Sequence, residues 1–159
     1  MSQHFESKGE MTEREVGWES EEGGRLAAML VALGYTENEA QEVKAVLSKF
    51  TLRRLEAGEV LVNEGDAGDF AYVVHYGRLG IFKRMDDGTE TKLATAAAGS
   101  MQGEIAVIGS LPRLASVRAE ESSEVFKFSK LDFRKLLTTS LRFQDRVDAL
   151  LAKRLEELP

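Results

Sequence analysis

Short segments that alternate apolar and polar residues follow one another between residues 51 and 128. We assign candidate strands to residues 51–55, 59–63, 70–75, 78–85, 90–96, 114–119 and 123–128. The glycines at or between the ends of these segments are Gly58, Gly65, Gly68, Gly77, Gly88 and Gly99. Glycine favours tight turns that need positive φ. Turn signals at intervals of about ten residues are typical of a β-sandwich or β-barrel.

Helical periodicity replaces this alternation on both sides of the β region. Before it, a stripe of apolar residues ends at Gly34, and Thr36 with Glu39 forms a capping box. Residues 23–49 are therefore predicted to form a helical hairpin. After Ser129, one short and one longer apolar stripe predict two C-terminal helices within residues 129–157.

Residues 1–22 carry most of the net charge of −6. Seven glutamates stand against Lys8 and Arg14, which leaves this segment at −5 and the remaining chain at −1. A segment this polar is predicted to be a disordered acidic tail. Trp18 leaves two interpretations open. Either Trp18 is part of a solvated tail, or its side chain docks on the folded body or on a partner.

The segment from Gly99 to Val117 carries the chemistry of a binding site. Gly103 and Glu104 precede an apolar turn of helix, whose first backbone N–H groups favour a phosphate. Arg113 can donate a forked pair of hydrogen bonds to two phosphate oxygens. Glu104 can accept a hydrogen bond from a ribose hydroxyl, or it can orient an arginine. The segment therefore predicts a site for a sugar phosphate.

This segment resembles the phosphate-binding cassette of the cyclic nucleotide-binding domain family, as in catabolite activator protein and the protein kinase A regulatory subunit. The matching residues are Gly99, Gly103, Glu104, Ile105, Ala106, Pro112, Arg113, Ala115, Ser116 and Val117. Gln102 departs from the pattern, which usually has an aromatic residue there. Residues 57–74 also resemble the family's first strands. The resemblance implies a cyclic nucleotide-binding domain over residues 50–157.

The fold implied is an α+β protein, a jelly-roll-type antiparallel β-barrel flanked by N-terminal and C-terminal helices. The barrel would span residues 50–128 and the C-terminal helices residues 129–157. The implied ligand-binding residues are Gly103, Glu104, Ile105, Ala106, Arg113, Leu114, Ala115 and Ser116. Arg113 would hold the cyclic phosphate and Glu104 the ribose 2′-hydroxyl. Gly103, Ile105 and Ala106 would act through their backbone, and Ala115 and Ser116 would line the pocket.

The residue after the cassette arginine bears on the identity of the base. Family members that prefer guanine often carry a hydroxyl residue there, and Leu114 has none, which favours cAMP over cGMP as the ligand. The helix at 141–157 would act as a lid over the base through Arg146, Leu150 or Arg154. The alternative is that these three side chains belong to a solvated helix face.

Several classes of site are not predicted. The chain has no cysteine, which excludes disulfides, thiolate metal sites and cysteine nucleophiles and fits a cytoplasmic location. His4 and His75 have no neighbours at metal-ligand spacing, so both are interpreted as structural or exposed, and no metal site or catalytic triad is expected. We expect no transmembrane helix and no signal peptide, because no apolar run is long enough.

The expected function is that of a cyclic nucleotide sensor, not an enzyme, which signals by movement of its flanking helices. With no effector domain recognised in the sequence, either a separate effector protein would read that movement or the chain is a fragment of a longer protein. A homodimer through the C-terminal helix stays open, and no nucleic-acid binding is expected because no basic patch stands out. The alternative is a protein–protein interaction or scaffold module of the same fold with little or no nucleotide binding.

Overall fold

The computed structural model describes residues 12–157. Nine strands lie within this range: β1 Glu13–Gly17, β2 Lys49–Leu55, β3 Val60–Val62, β4 Phe70–Tyr76, β5 Arg78–Arg84, β6 Glu90–Ala97, β7 Met101–Gln102, β8 Ser116–Ala119 and β9 Ser123–Ser129. Five helices complete it: α1 Glu21–Ala32, α2 Glu37–Val46, α3 Glu104–Gly109, α4 Lys130–Thr139 and α5 Leu141–Glu157. None of these helices is both long enough and apolar enough to cross a membrane.

The strands form two antiparallel sheets. One has five strands in the order β1-β2-β9-β4-β7, and the other has four in the order β3-β8-β5-β6. This arrangement confirms the predicted jelly-roll class with flanking helices. The sheets do not close into a barrel, since no strand pairing within residues 12–157 joins one sheet to the other. The chain passes from β6 to β7 at a turn that contains Gly99, and the two strands lie at the edges of different sheets.

The five-stranded sheet is buried on both faces. In β4, Ala71 and Val73 belong to a core shared with the helices, whereas Tyr72 and Val74 belong to a second core between the sheets. Successive side chains of a strand point to opposite faces, so each strand contributes to both cores. This is why residues 70–74 are almost continuously apolar. Helices α1, α2, α4 and α5 cover the outer face of this sheet.

Part of the predicted disordered tail is ordered. Residues 1–11 lie outside the described residues, but β1 pairs antiparallel with β2 from Glu13 to Gly17, and the first helix begins at Glu21. Local sequence patterns do not predict this strand, because the charged side chains of β1 are paired with residues that are distant in the chain. Glu13 pairs with Lys127 and Arg14 with Glu124. The prediction of disorder is therefore wrong for residues 13–22.

Trp18 docks on the folded body, which settles the two interpretations left open by the sequence. Its indole N–H donates to the Leu47 carbonyl oxygen at 2.5 Å. Its ring packs edge-on against Phe50, with 4.9 Å between ring centroids. Residues 18–20 thus tie β1 and α1 to the core that the helices share with the sheet.

His75 is a structural residue at the end of β4, and the residue is 6% exposed. Its Nδ1 lies 2.9 Å from Oε1 of Glu124, a residue that is only 1% exposed. Arg14 donates to the other oxygen of Glu124 at 2.8 Å. Arg25 of α1 places Nη1 3.2 Å from His75 Nε2. The side chains of Arg14, Arg25, His75 and Glu124 thereby join the N-terminal segment to the sheet. His4 lies outside the described residues.

The docking of Trp18 gives a first prediction. Trp18→Ala is expected to lower the free energy of unfolding by about 2 kcal/mol, since it removes a half-buried ring and a hydrogen bond. Trp18→Phe keeps the ring contact and is expected to cost about 1 kcal/mol. Urea denaturation followed by circular dichroism measures both values. Unchanged stability in Trp18→Ala, with solvent-like fluorescence from this sole tryptophan in the wild type, would show that the residue is not docked.

Candidate ligand-binding site

A cavity of about 190 Å³ opens between α3 and the facing strands. The residues that line it are Val62, Tyr72, Ile81, Leu93, Ala94, Gln102, Gly103, Glu104, Ile105, Ala106, Arg113, Leu114, Ala115 and Val117. Seven of the eight residues predicted from the sequence are among them. The continuous segment from β7 through α3 to the Arg113 loop therefore forms one side of the cavity, and strands that are distant in the chain form the other.

Gly103 is required where β7 turns into α3. Its φ of +85° lies in the left-handed region that side chains rarely adopt. A Cβ added here would lie 2.7 Å from Nη1 of Arg113 and 3.1 Å from the carbonyl oxygen of Phe70. Any side chain at this position would push the arginine away, so Gly103 contributes to the site through the space it leaves.

The turn at residues 65–68 fixes the loop that carries Arg113. The Gly65 N–H donates to the Arg113 carbonyl at 2.8 Å, and the Arg113 N–H donates to the Asp66 carbonyl at 2.7 Å. Gly68 packs directly on α3, because a Cβ added there would lie 2.2 Å from Cβ of Ala106. The turn is thus a common support for the arginine loop and for the short helix.

The side chain of Arg113 is held inside the cavity, and the residue is 5% exposed. Its Nη2 donates to the Phe70 carbonyl at 2.6 Å, and Cζ lies 4.7 Å from the centroid of the Phe70 ring. The buried Nε has no hydrogen-bond partner within residues 12–157. Burial lowers the pKa of the guanidinium, and the negative charges of nearby carboxylates oppose that shift. An arginine remains protonated at neutral pH under such conditions.

The cavity has a polar end and an apolar side. Arg113 and Glu104, the first residue of α3, supply its charged groups. Opposite charges on one wall can contact both an anion and a hydroxyl group. Ile81, Leu93 and Leu114 supply apolar surface, and Leu93 is 56% exposed at the surface of β6. The cavity can therefore receive a ligand with an anionic group and a flat apolar group.

Ser116 is the predicted site residue that does not line the cavity. Its hydroxyl accepts a hydrogen bond from the Glu64 N–H at 2.9 Å, so it joins β8 to the loop after β3. This hydrogen bond directs the hydroxyl towards the Glu64 backbone, and a contact of Ser116 with a ligand stays a prediction. The neighbouring Leu114 carbonyl accepts from Lys83 Nζ at 3.0 Å, which holds the loop from the other side.

Helix α5 lines a second cavity of about 430 Å³ and not the first. Arg146 and Leu150, two of the predicted lid residues, line this second space, and Gln102 and Glu104 lie on the wall between the two cavities. Arg146 donates to the Leu33 carbonyl at 2.8 Å, so it links α5 to the end of α1. The side chain of Arg154, the third lid candidate, lies outside the described residues.

Sequence reasoning missed the strand residues that supply the apolar wall. Val62, Ile81, Leu93 and Ala94 line the cavity from β3, β5 and β6. The sequence predicts their strands, but it does not single out these residues as part of the site. The pairing of β5 with both β6 and β8 brings these faces to the Arg113 loop, and that pairing was not available from the sequence.

Comparison with known proteins adds a family match. The protein-family model of the cyclic nucleotide-binding domain matches residues 52–140 of this chain. The cAMP-dependent protein kinase regulatory subunit of Blastocladiella emersonii is 32% identical over 92 residues, which cover 58% of this chain and 23% of that protein. The cyclic AMP receptor protein of Thermus thermophilus is 31% identical over 117 residues, which cover 74% and 54%.

Solved structures agree with this match. The crystal structure of the Thermus thermophilus catabolite activator protein superposes with a TM-score of 0.68 and 27% identity, over 81% of this chain and 59% of that one. The chain thus spans about a quarter to a half of the two curated relatives. The matched segment is more than half of this chain, and it runs from β2 through the cavity to the end of α4. The chain belongs to the cyclic nucleotide-binding domain family.

Proposed function

We propose that this chain binds a 3′,5′-cyclic nucleotide, with cAMP preferred over cGMP, and that it acts as a sensor and not as an enzyme. The observation that carries the proposal is the buried guanidinium of Arg113 in a cavity that it shares with Glu104. A buried cation is stabilised by polar or anionic partners. The relatives named as a cAMP-dependent kinase regulatory subunit and as a cyclic AMP receptor protein support this class of ligand.

The charged wall of the cavity is proposed to hold the sugar phosphate. Arg113 donates to the phosphate oxygens, and its Nε is one donor available for that contact. The backbone N–H groups of Glu104, Ile105 and Ala106 face the same anion at the start of α3. Glu104 accepts a hydrogen bond from the ribose 2′-hydroxyl. Gly103 permits the close approach, because it has no side chain to fill the space beside Arg113.

The apolar wall is proposed to hold the base. Ile81, Leu93 and Leu114 provide surface on which a purine ring can pack. Leu114 has no hydroxyl group with which to accept or donate a hydrogen bond at the edge of guanine. This supports adenine as the preferred base.

The signal is proposed to pass from the cassette to α5. Gly109 at the end of α3 lies beside Leu151 of α5, since a Cβ at Gly109 would come within 3.0 Å of Leu151 Cδ1. Glu104 and Gln102 separate the ligand cavity from the cavity that α5 lines. A ligand that draws α3 towards its phosphate would displace α5, and Arg146 would carry that change to α1. The equilibrium between two positions shifts when the ligand binds them with different affinity.

Two partners belong to the proposal. A separate effector protein reads the position of α5 and of the N-terminal helices. A second copy of the chain pairs through α5, on which Leu150 is 38% and Leu155 48% exposed. Exposed leucines on one helix support such a pairing because their burial would stabilise it.

The role of Arg113 gives the central binding prediction. The wild type is expected to bind cAMP with micromolar or tighter affinity in isothermal titration calorimetry. Arg113→Ala is expected to weaken that affinity by about 100-fold, because the phosphate loses its forked, charge-assisted partner. Arg78→Ala serves as the matched control, since Arg78 is exposed and paired with Glu120 and Glu121. It is expected to bind cAMP like the wild type.

Absence of cyclic nucleotide binding would contradict the proposal. If the folded, nucleotide-free wild type gives neither heat nor a thermal shift with millimolar cAMP or cGMP, the sensor proposal is wrong. The scaffold alternative would then be preferred, in which the same fold binds other proteins.

Leu114 gives a prediction about base preference. Leu114→Thr is expected to raise the affinity for cGMP about fivefold and to leave that for cAMP nearly unchanged, because one hydrogen bond to guanine contributes about 1 kcal/mol. Leu114→Val is the control, since valine has the shape of threonine without its hydroxyl. The ratio of the two dissociation constants measures the effect. An equal change in both variants would exclude the hydroxyl as its cause.

A further inference from the structure

Phe70 contacts Arg113 through both its backbone and its ring. The carbonyl oxygen accepts a hydrogen bond from Nη2 of Arg113 at 2.6 Å. The ring centroid lies 4.7 Å from Cζ of the same guanidinium. Phe70 does not line the cavity, so these contacts restrain the arginine from behind the proposed ligand site.

A second cation lies against the same ring. Nζ of Lys127 is 4.6 Å from the centroid of Phe70. Lys127 stands opposite Tyr72 in the β4–β9 pairing, and Phe70 is two residues from Tyr72 on the same face of β4. Glu13 of β1 holds Lys127 through an ion pair of 3.1 Å. Contacts therefore run from β1, which precedes the matched family segment, through Lys127 and Phe70 to Arg113.

The nature of these contacts suits an arginine that has to bind an anion. A carboxylate that oriented the guanidinium would cancel part of its charge and compete with a phosphate. An aromatic face and a carbonyl group carry no net charge, and both attract a cation. They can fix the orientation of the side chain without adding to the negative charge that Asp66, Asp69 and Glu104 already place near it. A side chain fixed in advance loses less conformational entropy on binding.

We propose that Phe70 is a positioning residue for Arg113, and that Lys127 fixes the Phe70 ring from its anchor on Glu13. The proposal rests on the proposed role of Arg113 in phosphate binding. It extends that role by assigning a function to a strand residue and to β1.

Calorimetry with cAMP tests the proposal with Phe70→Leu, which keeps the backbone carbonyl and an apolar side chain but loses the aromatic face. The affinity of Phe70→Leu for cAMP is expected to be about tenfold lower than that of the wild type. Phe70→Tyr, which keeps an aromatic ring, is expected to bind cAMP like the wild type. The matched control is Phe82→Leu, because Phe82 also carries a cation on its ring, with Arg118 Cζ at 3.6 Å from the centroid, but does not line the cavity. This control is expected to bind like the wild type.

A double-mutant cycle separates positioning from a general structural role. If Phe70 acts through Arg113, Phe70→Leu is expected to change the affinity less than twofold in an Arg113→Ala background. A tenfold loss in both backgrounds would overturn the proposal, as would an unchanged affinity in the single variant when the wild type binds cAMP normally. If the wild type itself does not bind cAMP, the proposed function fails and the role of Phe70 fails with it.

A measurement without ligand tests the geometry alone. The Nε–H signal of Arg113 in a ¹H–¹⁵N spectrum is assigned by its loss in Arg113→Lys. The aromatic ring is expected to shift this proton from its position in free arginine, and Phe70→Leu is expected to remove most of that shift. A signal that does not respond to Phe70→Leu would overturn the stacking on which the proposal depends, whether or not the chain binds cAMP.

Discussion

The burial of the Arg113 guanidinium is the constraint on which the other features of the site depend. A charged side chain that is 5% exposed has to be compensated by nearby polar groups. The Phe70 carbonyl supplies one hydrogen bond, and the turn at 65–68 fixes the backbone on either side. Gly103 leaves the space that the guanidinium occupies. These features place a positive charge inside the cavity and keep it oriented.

The five-stranded sheet links this site to the helices because both of its faces are buried. Its inner face contributes Tyr72 to the ligand cavity, and its outer face packs against the helices. The short helix α3 lies where the two sides meet, with Glu104 on the wall between the ligand cavity and the one lined by α5. In the proposed mechanism, a ligand on one side of α3 displaces the helix on the other. Arg146 of α5 donates a hydrogen bond to the carbonyl of Leu33 at the end of α1, so the N-terminal helices are also in contact with α5.

Most of the fold could be predicted from the sequence because its signals are local. The seven candidate strands agree with the observed strands to within two residues, and the capping box of Thr36 and Glu39 is present at α2. Strand β1 was missed because Glu13 and Arg14 are paired with residues more than 100 positions away. The cassette motif identified the charged wall of the site. The apolar wall and the contact of Phe70 with Arg113 depend on strand pairing, which alternation alone does not specify.

The most direct test of the account follows the backbone amides of the cassette in ¹H–¹⁵N spectra during titration with cAMP. We expect the largest shifts at Gly103, Glu104, Ile105 and Ala106 and smaller changes along α5, and we expect all of them to disappear in Arg113→Ala. Shifts concentrated elsewhere, or the same cassette shifts in Arg113→Ala, would contradict the claim that Arg113 and the start of α3 hold the cyclic phosphate.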